Sequence, residues 1–264
     1  MMKLDLKNKN AVVCGSTQGI GKATALQLAE MGANITLVAR NKTKLEAVLQ
    51  ELPKNADQNH DFVIADFDRP SELREALEKF NAESKKAVHI LVNNTGGPAG
   101  GPINAADIES FRNAFNQHLI CNHILVQAFM ESMKSEGYGR IINVISTSVK
   151  QPLDGLGGSN TIRGAVASWA KTLANELGSF GITVNNVLPG ATETERLGSI
   201  LNNKVKKLGV TLEEAKGKML AAIPAKRFAQ PQEIADAIAF LASPSAGYIN
   251  GINLPVDGGR TKSL

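Results

Sequence analysis

The chain is poor in cysteine, in aromatic side chains and in any excess of one charge. Its 264 residues include two cysteines, Cys14 and Cys121, each inside a stretch that reads as regular structure. Two such thiols are expected to be buried and free, which suits a reducing cytoplasm. No metal-ligand spacing appears among the two Cys and four His, so no metal site is expected. No apolar run approaches ~18 residues, which argues against a membrane span. Met1-Met2-Lys3-Leu4-Asp5 opens the chain without the apolar core of a signal peptide. The expectation is a soluble, cytoplasmic protein with no membrane partner. The formal charge of +4 comes from 29 basic and 25 acidic residues that are scattered along the chain. The longest basic cluster, Lys204-Val205-Lys206-Lys207, is too short and isolated for a nucleic-acid footprint. Internal repeats, low-complexity tracts and interdomain linkers are also missing.

What is present is an alternation. The AVILMFWYC set makes up 43% of the residues, ordinary for a globular chain long enough to bury one sizeable core. Short β-branched runs at Ala11–Cys14, Ile35–Val38, Phe62–Ile64, Val88–Val92, Ile141–Ile145, Ile182–Val187 and Ile252–Val256 predict seven strands. Between them apolar residues recur at i, i+3, i+4 spacing, as in Ala23-Leu26 and over Phe111 to Met133. The pattern predicts an α/β, doubly wound Rossmann fold: a seven-stranded, mostly parallel sheet with helices on both faces. Residues 192–230 break the rhythm after the sixth strand. An insertion there would project over the ligand crevice as a lid.

The first strand runs directly into Gly15-Ser16-Thr17-Gln18-Gly19-Ile20-Gly21, and a helix follows at once. Glycines allow a tight turn whose backbone N–H groups approach a pyrophosphate, and the helix N-terminus adds partial positive charge. Residues 1–264 are therefore expected to form a single dinucleotide-binding domain.

The Gly-x-x-x-Gly-x-Gly spacing resembles the short-chain dehydrogenase/reductase family. Asn93-Asn94-Thr95-Gly96 resembles the family's Asn-Asn-Ala-Gly, with Thr95 in place of Ala. Pro189-Gly190 with Thr192 resembles its Pro-Gly-x-x-x-Thr region, and Tyr248 to Gly251 with Val256 to Gly259 its C-terminal strand signature. The similarity spans nearly the whole chain and lies nearest the 3-oxoacyl-(acyl-carrier-protein) reductases. It implies a nicotinamide dinucleotide held by the glycine turn, Asn93, Gly96, Pro189, Gly190 and Thr192. It also implies a homo-oligomer, tetramer or dimer, paired through the helices around Phe111–Met133 and Ser159–Leu177. Arg40 closes the second strand, where an acid would choose NAD and a base accommodates the 2′-phosphate, so NADP(H) is expected. Asp66 matches the family's adenine-contacting acid, with a helix N-cap as its plain alternative.

The family's catalytic tetrad of Asn, Ser, Tyr and Lys is mostly replaced. Ser146 matches the serine; the tyrosine position is Ser159, the lysine position Arg163 and the asparagine position His118. Only two tyrosines exist, Tyr138 before the fifth strand and Tyr248 in the C-terminal signature, where packing is expected; neither can supply the phenol. Arg163 can grip ribose hydroxyls or stabilise a developing alkoxide but is a poor proton donor. His118 titrates near neutrality by its ordinary chemistry, which makes it the best general-acid candidate, against a plain reading as a packed helix residue. Lys150 is a second donor candidate. The glycine-rich stretches 97–102 and 155–158 would be either mobile site walls or turns demanded by geometry. The expectation is an NADP(H)-dependent oxidoreductase acting on a small carbonyl or alcohol. The alternatives are a non-catalytic dinucleotide-binding sensor or partner subunit, or a lyase or isomerase step on the same platform.

Overall fold

The computed structural model describes residues 2–55, 57–98 and 100–263. Seven strands form one sheet: β1 Asn10–Cys14, β2 Asn34–Ala39, β3 Asp61–Ile64, β4 Ile90–Asn93, β5 Gly139–Val144, β6 Ile182–Pro189 and β7 Asn253–Val256. Their order is β3-β2-β1-β4-β5-β6-β7 and every pairing is parallel, so the expected sheet is all parallel rather than mostly so. The order reverses between β1 and β4, which opens a crevice at the C-terminal strand ends.

Parallel strands are covered on both faces, and that is why β4 and β5 are buried at every residue rather than alternately. On one face α1 (Gly19–Glu30), α2 (Lys42–Glu51) and α9 (Pro231–Ala242) pack Leu28, Leu45, Ile234 and Ile238 against Ile35, Leu37 and Ile90. On the other, α3 (Pro70–Ser84), α5 (Cys121–Ser135) and α6 (Gly157–Leu177) bury Leu73, Leu77, Leu125, Phe129 and Leu173 with Val12, Leu91 and Val184. Cys14 and Cys121 lie here as buried free thiols; burial pushes the Cys121 thiol up to about 12 and Cys14 higher still.

Three expectations need correction. The strand bounds move by one to two residues, most visibly at β4, which begins at Ile90, not Val88, and at β6, which continues to Pro189. The long helix expected from Phe111 is two, α4 (Ile108–Phe115) and α5, joined by a π turn over Asn116–Ile120. Such one-turn widenings occur often at functional sites. Tyr248 does not pack but stands fully exposed, because its neighbours Ile249 and Asn250 take the inward places. The insertion is helical throughout most of its length: α7 (Glu195–Leu208) and α8 (Leu212–Ala221) close over their own small core of Leu197, Leu201, Ala215, Ile223 and Phe228. Its base is tied by a parallel bridge, with Ala229 N–H donating to Ala191 (2.9 Å) and Glu193 N–H to Ala229 (2.8 Å).

One polar row crosses the apolar sheet. Asn93, Asn143, Asn186 and Asn253 stand in register on β4 to β7. Each amide donates to the next, Asn93 Nδ2 to Asn143 (2.8 Å), Asn143 Nδ2 to Asn186 (2.9 Å) and Asn186 Nδ2 to Asn253 (2.8 Å). Among the described residues no helix is long and apolar enough to cross a membrane.

Candidate active site

The glycine turn lies at the end of β1 because Gly15 N–H donates to Val38 O (2.8 Å) while Gly15 itself takes φ +59°, a conformation that favours glycine. A Cβ on Gly21 would stand 2.1 Å from Gly15 O, so helix and turn pack backbone to backbone. Asn94 holds the turn from the side, its Nδ2 donating to Cys14 O at 3.2 Å and Gly15 O at 3.4 Å. Ser16 is buried within the turn, Thr17 and Ile20 are half-buried, and exposed Gln18 is the N-cap of α1 without capping it by its side chain. No acid occupies the first turn either. Uncapped N–H groups and an unopposed helix dipole fit a dinucleotide pyrophosphate.

Arg40 follows β2 and is exposed, with Nη1 3.5 Å from Asp68 Oδ2. So exposed a pair is worth little and leaves the guanidinium free to turn to a phosphate. Asp66 is not a helix N-cap: the N-cap of α3 is Arg69, without a side-chain cap, and Asp66 Oδ1 instead accepts the Asp68 N–H at 3.1 Å. Gly96 is open, with nothing within 4 Å of where a Cβ would stand. Across the crevice Gly190 N–H donates to Val256 O (2.9 Å), Thr192 is buried with Oγ1 on Gly190 O (3.2 Å), and Pro189 ends β6. Asn93 differs from the expectation. Its side chain is buried in the sheet as the first member of the asparagine row, and Asn94 is the residue that reaches the glycine turn.

Ser146 follows β5 and caps a short 3-10 turn over Thr147–Val149. Its Oγ accepts the Ser148 N–H (3.1 Å), which leaves the hydroxyl proton available to a ligand. Arg163 comes back from α6 to the same place: it is 8% exposed, its Nη1 donates to Val144 O at 2.9 Å, and its buried Nε has no acceptor among the described residues. Burial, and then the charge of Arg196, lowers its pKa to about 10, so it stays protonated at neutral pH. Ser159 is half-buried in the first turn of α6, one turn before Arg163. Lys150 lies half-buried after the 3-10 turn.

His118 corrects the sequence reading most. It sits in the π turn, 1% exposed, hydrogen-bonded to the Gly96 backbone. Burial, followed by the charges of Arg163 and Arg196, pushes its pKa down to about 2. A ring that stays neutral to that pH cannot serve as an imidazolium acid. Its buried Nε2 has no partner among the described residues. Tyr138 donates its hydroxyl to Ala242 O (2.7 Å) at the N-terminal edge of the sheet, and Tyr248 precedes β7 at that same edge.

The sequence did not point to Arg196, and it named Asn94 within its motif without assigning it a contact. Arg196 projects from α7 across the crevice, donating to Gly97 O (2.8 Å) and Pro98 O (2.6 Å). The residue as a whole is exposed, yet its head is desolvated enough against that loop to lower its pKa. Gly97 makes room for it, since a Cβ there would stand 2.9 Å from Nη2. The two glycine-rich stretches are turns demanded by geometry. Gly101 N–H donates to Gly155 O (2.7 Å) and Gly157 N–H to Gly101 O (3.1 Å), while a Cβ on Gly157 would meet Ile103 at 2.5 Å. Ala99 in the first stretch lies outside the described residues.

Comparison with known proteins agrees with this geometry. A family model described as Enoyl-(Acyl carrier protein) reductase matches residues 15–261. The chain is 28% identical over 260 residues to the NADPH-dependent reductase BacG of Bacillus subtilis, covering 98% of this chain and 100% of that one. It is 33% identical over 256 residues to the 3-oxoacyl-(acyl-carrier-protein) reductase FabG of Vibrio cholerae, covering 97% and 98%. Among solved structures it is similar to L-sorbose reductase from Gluconobacter frateurii in complex with NADPH and L-sorbose (TM-score 0.92, 30% identity, all of both chains). It is likewise similar to YwfH, an NADPH-dependent reductase involved in bacilysin biosynthesis (TM-score 0.90, 28% identity, 97% and 99% covered).

Proposed function

The chain belongs to the short-chain dehydrogenase/reductase family, and we propose that it is an NADPH-dependent reductase of a small carbonyl compound in which Ser146 and Arg163 act without the family's tyrosine and lysine. The observation that carries this reading is that buried Arg163 donates to Val144 O at the end of β5, two residues before Ser146, beside the crevice that the uncapped α1 opens into. NADPH, when bound, supplies a hydride to the carbonyl carbon. Gly15 to Gly21 receive the pyrophosphate and Arg40 the 2′-phosphate. Ser146 donates its hydroxyl to the carbonyl oxygen, and the Arg163 guanidinium stabilises the negative charge that develops there. The proton passes from Ser146, which is half-buried and can be refilled from water. His118 takes no part as an acid, being neutral down to about pH 2. Losing a positioned acid lowers the rate by ~10²–10⁴, so turnover is expected to be slow rather than absent.

In the same reading residues 1–264 are one cofactor-binding domain of a cytoplasmic homo-oligomer, and residues 192–230 are its substrate lid. The separate core of α7 and α8 and the bridge at their base support a lid that moves as a unit. NADPH oxidation followed with ketones and 3-oxoacyl thioesters tests the activity, and Arg40→Glu tests the clamp. Turnover that prefers NADPH, with the preference reversed in Arg40→Glu, is the expected result. NADPH bound without turnover of any carbonyl would favour the non-catalytic sensor or subunit, to which the missing phenol and the neutral His118 also lend support.

A further inference from the structure

Two guanidiniums reach the crevice, and among the described residues no carboxylate pairs with either. Arg163 and Arg196 reach it from opposite sides, from α6 and from α7, and among the described residues each is held only by main-chain carbonyls: Val144 O for the first, Gly97 O and Pro98 O for the second. Every ion pair among the described residues involves other side chains. The electrostatics agree: burial and Arg196 lower the Arg163 pKa, burial lowers that of Arg196, and no acid raises either. A buried cation without a counter-charge costs several kcal/mol, so a fold that retains one at a ligand crevice is completed by an anion from outside.

On the reading above the cofactor does not fill that role: its phosphates go to the glycine turn and to Arg40, and both the reduced nicotinamide ring and the ribose hydroxyls that Arg163 could grip are uncharged. Two buried atoms describe the missing ligand further. Among the described residues Arg163 Nε has no acceptor and His118 Nε2 has no partner; with the neutral ring donating to the Gly96 backbone through Nδ1, Nε2 would be an acceptor. A ligand presenting an anionic acceptor and a hydroxyl donor satisfies both.

We propose that Arg163 and Arg196 form a carboxylate subsite, so that the substrate is a small oxo acid and the product its hydroxy acid, with the new hydroxyl facing His118 Nε2. This rests on the reductase reading above. The hydride adds to the carbonyl carbon, the C=O electron pair becomes the alkoxide, and a proton from Ser146 gives the hydroxyl, while the substrate carboxylate stays ionised throughout. A planar carboxylate matches the guanidinium fork, and Arg196 exchanges two neutral carbonyl acceptors for a charged one. Because Arg196 belongs to the lid, binding of the acid also holds α7 against the crevice.

Protein saturated with NADPH is titrated calorimetrically with lactate, 3-hydroxybutanoate and 3-phenyllactate, which cannot react with the reduced cofactor, and with their uncharged amides. At least one acid is expected to bind tenfold or more tighter than its amide. In Arg196→Gln that ratio is expected to fall below threefold with the NADPH Kd unchanged, and Arg196→Lys should retain part of it. The subsite is overturned if no acid binds, if amides bind as well as acids, or if Arg196→Gln keeps the preference. A tenfold loss of NADPH affinity in Arg196→Gln would also overturn it, because the arginine would then serve the cofactor's phosphates. NADPH affinity and ketone turnover are measured separately, so failure here leaves the reductase reading standing.

Discussion

Replacing Asn143 by leucine tests how the buried asparagine row holds the centre of the sheet. Asn143 is fully buried on β5, accepts from Asn93 Nδ2 (2.8 Å) and donates to Asn186 Oδ1 (2.9 Å). Leucine has the same branching and number of heavy atoms and is bulkier, so no cavity opens, but the substitution strands a donor on β4 and an acceptor on β6. Each buried polar group left without a partner costs about 1–3 kcal/mol, or about 2–6 kcal/mol together. That is a large share of the ~5–15 kcal/mol by which a domain is stable. With a urea slope of about 3 kcal/mol per molar, the unfolding midpoint is expected to fall by about 0.7–2 M at fixed protein concentration. Adding Asn93→Val to Asn143→Leu removes one of the stranded groups, so the double variant should lose less than the sum of the two single losses. The assay is urea unfolding followed by far-ultraviolet circular dichroism. A midpoint shift below about 0.2 M for Asn143→Leu, or strict additivity in the double variant, would refute the reasoning.

Gly21→Ala places a methyl 2.1 Å from Gly15 O and must part helix from turn. NADPH affinity is expected to fall at least tenfold and stability by about 1–3 kcal/mol, whereas Gly164→Ala, inside α6 with open space around it, should stabilise by about 0.5–1 kcal/mol. Unchanged NADPH binding in Gly21→Ala would remove the turn from the cofactor site. The buried histidines set an acid limit. His118 has a folded pKa of about 2 against 6.5 unfolded, and burial lowers His60 and His89 as well. The unfolded chain then binds protons that the native chain does not, so stability is full above about pH 6.5 and declines as pH falls below it. As pH falls from 6.5 to 5, His118→Gln should make that decline shallower by about 0.7 rising to about 1.4 kcal/mol per pH unit, half a proton's worth rising to one, read from urea midpoints. An unaltered slope would mean that His118 titrates normally in the fold.

Much of this molecule is legible in its sequence where the information is local. The turn from Gly15 to Gly21 needs only its own glycines and the strand and helix beside it, so one short stretch of chain is enough to place it. Ser146, Ser159 and Arg163 follow from counting along the family frame, and the structure places Arg163 on Val144 O, two residues before Ser146. His118 is legible in position but not in chemistry. Its neutrality depends first on burial and then on two arginines that lie 45 and 78 residues away in the chain. Asn93 reads as a cofactor contact because its motif carries that association, whereas its partner Asn143 lies on another strand.

The sequence by itself determined the period of each element, the βα alternation and hence the doubly wound sheet, and the backbone shape of the phosphate turn. These follow from steric and hydrophobic rules that act within about a dozen residues. Only the tertiary structure decided which polar groups would face one another across the sheet: the asparagine row, the neutral His118, the reach of Arg196 from the insertion to the loop after β4. Burial and charge neighbourhood are set by distant segments brought together. In a low-dielectric interior those neighbours, more than the residue type, decide whether a side chain is charged, paired or left waiting for a ligand.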